Sequence, residues 1–226
     1  LIKIITHEIN NSLTPITSLA AANRIILTDK KNQVILQKLE NEDLADLISN
    51  NDVLEERSAG IRKFLSSFSM LTTIPAPNSS EFLLRDVFDK INTIFKSEFR
   101  LYNIDFKQEC QPEDLHIYAD YEMITQVLIN LVKNSVFSLK EREEGQIRIN
   151  ALNDVKRRII KVCDNGRGIE PDVINKIFIP FFTTKENGTG IGLSYSREII
   201  RLHKGTIKVR SSPFEETVFE ITLPIR

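Results

Sequence analysis

The fold of this chain follows from three segments: Asn130-Leu-Val-Lys-Asn134, Asp164-Asn-Gly-Arg-Gly168 and Gly188-Thr-Gly-Ile-Gly192. The first segment lies in an apolar run and places two carboxamides four residues apart, so a helix carries both on one face. The second follows an apolar run directly, which is typical of the end of a strand. The third is a glycine-rich turn before a helical pattern. Together the three segments predict a pocket for a purine nucleotide and its magnesium-bound phosphates.

The composition of the chain is that of a globular protein with no excess of either charge. The 226 residues include 30 basic and 31 acidic side chains. This balance argues against nucleic acid or an anionic membrane as a partner. The two cysteines, Cys110 and Cys163, are too few for a metal cluster, and no apolar run reaches the ~20 residues that span a bilayer. We expect a cytoplasmic fragment without direct membrane contact, whose parent protein can carry a membrane anchor.

The first 74 residues predict a helical hairpin. Apolar and small residues recur at alternating spacings of three and four over 2–27 and 44–72, with a polar connection over 28–41. A single hairpin leaves much apolar surface in water, so we expect a homodimer with a four-helix bundle. Residues 75–80, rich in proline and serine, predict a linker. The predicted domains are 1–74 and 81–226.

The second domain alternates helical and strand patterns. It predicts an α+β sandwich with helices on one face of a mixed sheet. The predicted helices span 83–99, 121–140 and 190–203. The predicted strands span 104–107, 115–118, 146–152, 157–163, 206–210 and 217–223.

The two asparagines of the first segment are candidate metal ligands. Neutral oxygen donors suit Mg²⁺, which keeps several positions for water and phosphate. Taken alone, Asn130 and Asn134 fit a solvated helix face better than a metal site, because Asn is a poor helix former and common on helix surfaces.

The second segment predicts contact with the purine base. Asp164 can accept a hydrogen bond from an exocyclic amine, and the glycines allow close approach and positive φ. A simple Asp-Asn-Gly turn is the alternative.

The third segment predicts contact with phosphate. Small residues at a helix N-terminus let backbone N–H groups face anionic oxygens. The segment lacks the Lys-Ser/Thr ending of a P-loop. Before it, residues 177–185 predict a lid in which Phe181 and Phe182 dock and Lys185 reaches the γ-phosphate; a hydrophobic plug with a solvated lysine is the alternative.

The order of these motifs resembles the catalytic domain of two-component sensor histidine kinases. The segment His7-Glu-Ile-Asn-Asn-Ser-Leu-Thr-Pro-Ile16 is similar to their phosphoacceptor box. The short lid and the segment Leu71-Thr-Thr-Ile-Pro-Ala-Pro77 resemble the branch of nitrogen-regulation sensor kinases. The resemblance implies a helical hairpin followed by the ATP-binding sandwich of the gyrase, Hsp90 and histidine kinase type.

The resemblance also implies roles for individual residues. His7 would be the phosphoacceptor, Glu8 its base, and Asn11 the residue that orients a water when the partner regulator is dephosphorylated. The product would pass to an aspartate on the receiver domain of a response regulator. Asn130 and Asn134 would hold Mg²⁺. The residues around ATP would be Asn130, Asn134, Asp164, Gly166, Gly168, Ile169, Phe182, Thr184, Lys185, Gly188, Thr189, Gly190, Ile191, Gly192, Leu193 and Thr217.

The chain departs from the family pattern at two informative positions. Ser12 stands where many relatives carry a helix-kinking proline, and only Pro15 remains. Phe137 stands where many relatives carry a lysine that faces phosphate. Lys133 or Lys185 is a candidate substitute, and reliance on the metal alone is the third alternative.

Two other functions remain open on the sequence alone. An ATPase of the gyrase or Hsp90 kind uses a glutamate four residues before the second asparagine to activate water, and Asn130 occupies that position. A catalytically degenerate dimeric scaffold would bind nucleotide without transferring phosphate. Retained ATP binding without phosphate on His7 would distinguish the scaffold from a kinase.

Overall fold

The structure, a computed structural model, describes residues 2–27, 41–154, 157–185 and 188–225. It divides into two compact units, Leu1–Ser69 and Met70–Arg226. The first contains helix α1 (Ile2–Leu27), which continues through Pro15, and most of helix α2 (Asn41–Thr72). Both helices of the predicted hairpin are therefore confirmed. The predicted polar connection lies outside the described residues, apart from Asn41, which begins α2.

The two long helices contact each other through asparagine side chains. Asn50 Nδ2 donates a hydrogen bond to Asn23 Oδ1 at 2.8 Å, and Asn23 Nδ2 donates to Asn51 Oδ1 at 3.4 Å. Large apolar side chains of the same helices remain exposed, with Ile25 at 75% and Ile48 at 64% of their full accessible area. A single chain therefore leaves part of the apolar surface of this hairpin uncovered.

The second unit contains two sheets and four helices among the residues that the structure describes. In chain order the elements are β1 (Ser80–Leu83), α3 (Leu84–Leu101), β2 (Ile104–Gln111), β3 (His116–Ala119), α4 (Tyr121–Leu139), β4 (Gly145–Asp154), β5 (Arg157–Asp164), α5 (Pro171–Ile174), α6 (Gly192–Leu202), β6 (Thr206–Ser212) and β7 (Glu216–Pro224). A five-stranded sheet has the order β2-β4-β5-β7-β6, in which β2 and β4 are parallel and every other pair is antiparallel. A second sheet pairs β1 with β3.

The core lies between the helices α3, α4 and α6 and the large sheet. Alternate residues of β4 are buried, including Ile147 and Ile149, because successive side chains of a strand point to opposite faces. Phe88 of α3 and Leu128 and Leu131 of α4 are fully buried in the same cluster. The helices pack on a mixed sheet, so the predicted sandwich of helices on a mixed sheet is confirmed.

Strand β1 was not predicted. Ser80, the last residue of the predicted linker, is its first residue and pairs with Ala119 of β3. Four residues are too short for a periodic pattern, and the partner strand is distant in the sequence, so only the tertiary fold makes this pair.

Two further features of the chain bear on its chemistry. Cys110 and Cys163 are free and half-buried, and burial raises the pKa of the Cys110 thiol to about 11 and raises that of Cys163. Both thiols are therefore harder to ionise than a free cysteine. In the part of the chain that the structure describes, no helix combines the length and the apolar character needed to cross a membrane.

Candidate nucleotide-binding site

Asp164 is a buried carboxylate at the end of β5. Its side chain accepts hydrogen bonds from two hydroxyls of α4: Ser135 Oγ lies 2.7 Å from Oδ2, and Ser138 Oγ lies 2.9 Å from Oδ1. The backbone N–H of Gly166 donates to Oδ1 at 3.0 Å. Burial raises the pKa of Asp164, and the three hydrogen bonds oppose that rise. The arrangement holds a hydrogen-bond acceptor in a fixed orientation, as recognition of a base amine requires.

The turn after Asp164 accepts only glycine at two positions. A Cβ on Gly166 would lie 2.1 Å from Ser138 Oγ, inside the van der Waals contact distance. Gly168 has φ +76°, and a Cβ there would lie 2.6 Å from the carbonyl oxygen of Ser212. The turn is therefore held between α4 and the connection from β6 to β7.

Three predicted residues meet beside this turn. Thr217 lies opposite Asp164 in the pairing of β5 with β7 and is buried. The Thr217 hydroxyl lies 2.8 Å from Ser211 Oγ. Ser211 Oγ also accepts a hydrogen bond of 2.9 Å from the backbone N–H of Ile169. The structure thus brings Asp164, Ile169 and Thr217 together.

Asn130 joins α4 to the start of α6. Its Nδ2 donates to the carbonyl oxygen of Gly192 and to Ser196 Oγ, each at 3.3 Å. Its Oδ1 accepts a single hydrogen bond of 3.4 Å from Gln126. A Cβ on Gly192 would lie 3.6 Å from Asn130 Cγ, an ordinary contact. The carboxamide nitrogen is therefore committed to the protein, whereas the oxygen is nearly unused.

Asn134 faces a cation. Lys185 Nζ lies 2.6 Å from Asn134 Oδ1, so the carboxamide presents its oxygen to positive charge. The pKa of Lys185 is lowered to about 8, chiefly by burial and then by the neighbouring charges of Arg167, Lys133 and Lys140. This end of the site is therefore strongly electropositive.

The segment before the glycine-rich turn contacts both the large sheet and the turn. Ile177 is buried, and the ring of Phe178 meets that of Phe219 edge-on at 6.5 Å. Phe181 and Phe182, the predicted anchors, are half-buried, as Phe178 is. The backbone N–H of Phe181 donates to the carbonyl oxygen of Gly190 at 2.9 Å, which ties this segment to the turn.

The remaining predicted residues lie around the turn. Gly190 has φ +65°, and a Cβ there would lie 2.3 Å from the carbonyl carbon of Phe181. The backbone N–H of Gly188 donates to the carbonyl oxygen of Lys185 at 3.1 Å. Thr184 and Thr189 are exposed, Leu193 is half-buried, and Ile191 is buried.

The predicted phosphoacceptor group belongs to the other unit. His7, Glu8 and Asn11 lie in α1, and their side chains are outside the described residues. Their roles stay predictions.

The sequence analysis missed the serines that hold the site. These are Ser135 and Ser138 beside Asp164, Ser196 beside Asn130, and Ser211 beside Ile169. One of them carried a signal: Ser138 continues the spacing of four that joins Asn130 to Asn134, so the three lie on one helix face.

The carboxamide oxygens of Asn130 and Asn134 fit a divalent cation. One is almost unused, and the other already accepts a hydrogen bond from a cationic group. Among the described residues, no cluster of three His, Cys, Asp or Glu side chains is arranged to hold a metal. A cation here would therefore take most of its ligands from phosphate and water, as Mg²⁺ commonly does.

Comparison with known proteins agrees with this geometry. The family described as histidine kinase-, DNA gyrase B- and HSP90-like ATPase matches residues 119–226. Sporulation kinase D of Bacillus subtilis is 32% identical over 97% of this chain, and a putative NtrY-like sensor histidine kinase of Rickettsia conorii is 30% identical over 99%. The chain spans only 40% and 35% of these two relatives.

Solved structures give the same result. The catalytic domain of histidine kinase ThkA is 36% identical with a TM-score of 0.59, over 65% of this chain and 95% of that domain. ThkA in complex with the response regulator protein TrrA matches 98% of this chain and 60% of that chain, at 28% identity and a TM-score of 0.66.

The chain therefore belongs to the two-component sensor histidine kinases. Its second unit contains the ATP-binding kinase domain of that family, and its relatives include NtrY-like sensors.

Proposed function

We propose that this chain is the kinase core of a sensor protein, which transfers the γ-phosphoryl group of ATP to His7 and then to an aspartate of a response regulator. The observation that carries the proposal is the buried carboxylate of Asp164, held by Ser135 and Ser138 on the helix that also presents Asn134. Helix α4 thus contacts both the acceptor for the base and the electropositive end for phosphates.

The adenine end of the site is formed around Asp164. Its carboxylate accepts a hydrogen bond from the exocyclic amine. Gly166 and Gly168 have no side chains, so the base can approach the backbone of the turn. Ile169 and Thr217 border the same position, and their contacts with Ser211 support this placement.

The phosphate end is formed by Asn130, Asn134, Lys185 and the turn that begins α6. The N-terminus of α6 favours anions through its backbone N–H groups. Mg²⁺ held by the oxygens of Asn130 and Asn134 would neutralise charge on the phosphates. Phe182, Thr184, Gly188, Thr189, Gly190, Ile191, Gly192 and Leu193 complete the boundary.

The transfer itself requires a neutral imidazole at His7. Its Nε2 forms a bond to the γ-phosphorus while the bond from that phosphorus to the ADP oxygen breaks. The proton on Nδ1 passes to the carboxylate of Glu8, the role of a general base. Positioning and charge neutralisation supply most of the remaining rate enhancement.

The partners follow from the surface of the hairpin and from the relatives. The exposed apolar residues of α1 and α2, including Ile25 and Ile48, support a homodimer with a four-helix bundle. The structure of ThkA with TrrA supports a receiver domain as the second substrate. In the opposing phosphatase reaction, Asn11 orients a water that attacks the phosphorus of the regulator's aspartyl phosphate, which breaks the bond to the aspartate oxygen and releases inorganic phosphate.

The experiment that tests the kinase uses γ-labelled ATP and Mg²⁺. The parent chain acquires label that is acid-labile and stable to alkali, and His7→Ala and Asn134→Ala abolish it. His116→Ala is the matched control, because His116 is exposed and lies outside the site; it keeps full labelling. Addition of a receiver domain then removes label from the parent, whereas a receiver without its phosphoacceptor aspartate does not.

Other outcomes point to the alternative functions. ATP binding without label indicates the non-catalytic scaffold. Release of labelled phosphate that survives His7→Ala indicates an ATPase of the gyrase or Hsp90 kind. Either result would overturn the proposed kinase.

A further inference from the structure

Phe137 on α4 is surrounded by cations. Lys185 Nζ lies 4.2 Å from the centre of its ring, Arg167 Cζ lies 5.3 Å away, and Lys140 Nζ lies 5.5 Å away. Aromatic faces attract such groups within about 6 Å of the ring centre. The ring is half-buried and one turn of helix beyond Asn134, which binds the same Lys185 ammonium.

Among the residues that the structure describes, no acidic group pairs with the three cations around this ring. Within residues 2–27, 41–154, 157–185 and 188–225, none of Lys140, Arg167 and Lys185 forms an ion pair with a carboxylate. Their mutual repulsion is evident in the lowered pKa of Lys185, to which Arg167 and Lys140 both contribute after burial. The Asn134 oxygen holds the Lys185 ammonium, and the ring is the group that Lys185, Arg167 and Lys140 share.

An aromatic ring attracts these cations without neutralising them. A carboxylate would hold the same cations but would cancel part of their charge and repel phosphate oxygens. The quadrupole of a ring holds a cation without changing the net charge of the site. The full positive charge therefore remains available to an anion.

We propose that Phe137 is a positioning residue, which holds the Lys185 ammonium and the Arg167 guanidinium ready for the terminal phosphate of the nucleotide. This inference rests on the proposed function, because it assigns the electropositive end of the site to the γ-phosphate. Of the two lysines that are candidate substitutes for the family lysine at position 137, Lys185 lies at the ring of Phe137. Arg167 is a second cation that the sequence analysis did not single out.

The first test compares two nucleotides that differ by one phosphate. Affinities for ADP and for a non-hydrolysable ATP analogue are measured by calorimetry with Mg²⁺ for the parent, Phe137→Leu and Phe137→Tyr. Leucine keeps an apolar side chain but removes the ring. The affinity for the ATP analogue therefore falls about tenfold relative to the affinity for ADP, as expected for one partly desolvated cation–π contact. Tyrosine keeps the ring and restores the parent ratio.

The outcomes separate this inference from the proposed function. Equal weakening of both nucleotides in Phe137→Leu would place the ring against the base or the shared phosphates and would overturn the inference. An unchanged ratio would overturn it as well. If the parent binds neither nucleotide, the proposed function fails and the inference fails with it. Unchanged ADP affinity in Phe137→Leu serves as the control for folding.

The second test needs no nucleotide. A ring face shifts the proton resonances of a group above it upfield, so the Lys185 side-chain methylene signals, assigned with Lys185→Met, are upfield in the parent. They return to ordinary positions in Phe137→Leu and stay upfield in Phe137→Tyr. Ordinary positions in the parent would show that Lys185 is not held on the ring and would overturn the inference.

Discussion

Ser135 Oγ donates a 2.7 Å hydrogen bond to Asp164 Oδ2, and this contact joins the middle of α4 to the last residue of β5. Both groups are buried, with the Asp164 residue only 4% exposed. A buried carboxylate is expensive unless donors surround it, so the serine and the aspartate form one unit. The site thus contains an ionisable side chain at a buried position where a neutral side chain would cost less to desolvate.

Asp164→Asn should stabilise the fold while it weakens nucleotide binding. Because the pKa of Asp164 is raised in the folded state, the native protein holds its proton more tightly than the unfolded chain does. The parent therefore loses stability relative to Asp164→Asn as the pH rises above the unfolded Asp pKa of about 3.9. The affinity for ADP falls about tenfold or more, because an NH₂ group replaces one acceptor oxygen.

Thermal unfolding of both proteins between pH 3 and pH 8 checks this prediction. The difference in melting temperature should be small at pH 3, where Asp164 is protonated in both states, and should widen in favour of the variant towards neutral pH. A parent that is the more stable protein at pH 7 would contradict it.

The two serines beside Asp164 should differ in their contribution to stability. Ser138→Ala leaves Oδ1 with the Gly166 N–H, whereas Ser135→Ala removes the hydroxyl that serves Oδ2. An acceptor left without its donor in a buried site costs about 1–3 kcal/mol, so Ser135→Ala should be the more destabilising change. Urea unfolding at pH 7 compares the two variants directly, and equal midpoints would count against the assignment.

The glycine-rich turn offers a matched pair of substitutions. Gly190 has positive φ and no room for a Cβ beside Phe181, so Gly190→Ala should lower the free energy of unfolding by about 1–3 kcal/mol. At Gly192 a Cβ makes only an ordinary contact with Asn130, and Gly192→Ala should stay within about 0.5 kcal/mol of the parent. Chemical denaturation gives both values. Similar losses in the two variants would contradict the described turn.

The asparagine contact between α1 and α2 should favour a unique pairing at the expense of stability. A polar residue in an otherwise apolar seam specifies register and association state. Replacement of Asn23 and Asn50 together by leucine should stabilise the helical unit by about 1 kcal/mol and broaden the distribution of oligomers. Light scattering after size separation measures the distribution. Ser49→Leu, at an exposed position of α2, is the control for added hydrophobicity and should leave it unchanged.

The outcome for individual residues shows which predictions the sequence can support. Helices α1, α2 and α4 have long periodic patterns, and their limits agree with the predictions to within a few residues. Strand β1 has four residues and no periodic pattern, so it was missed. Ile177 is the buried residue of the segment before the glycine-rich turn and was not predicted, because the sequence does not show which of several neighbouring apolar residues meets a partner surface.

The sequence by itself determined the long helices, the order of the motifs and the family, since these depend on residue type and local spacing. Asn130, Asn134 and Ser138 share one helix face wherever that helix is placed. Only the tertiary structure decided what each group contacts. It placed Ser135 and Ser138 against Asp164, and Lys185 and Arg167 on Phe137. These contacts join residues about 30 to 50 positions apart in the sequence. Local propensity does not specify how far apart such residues lie in space, and the packing of helix on sheet does.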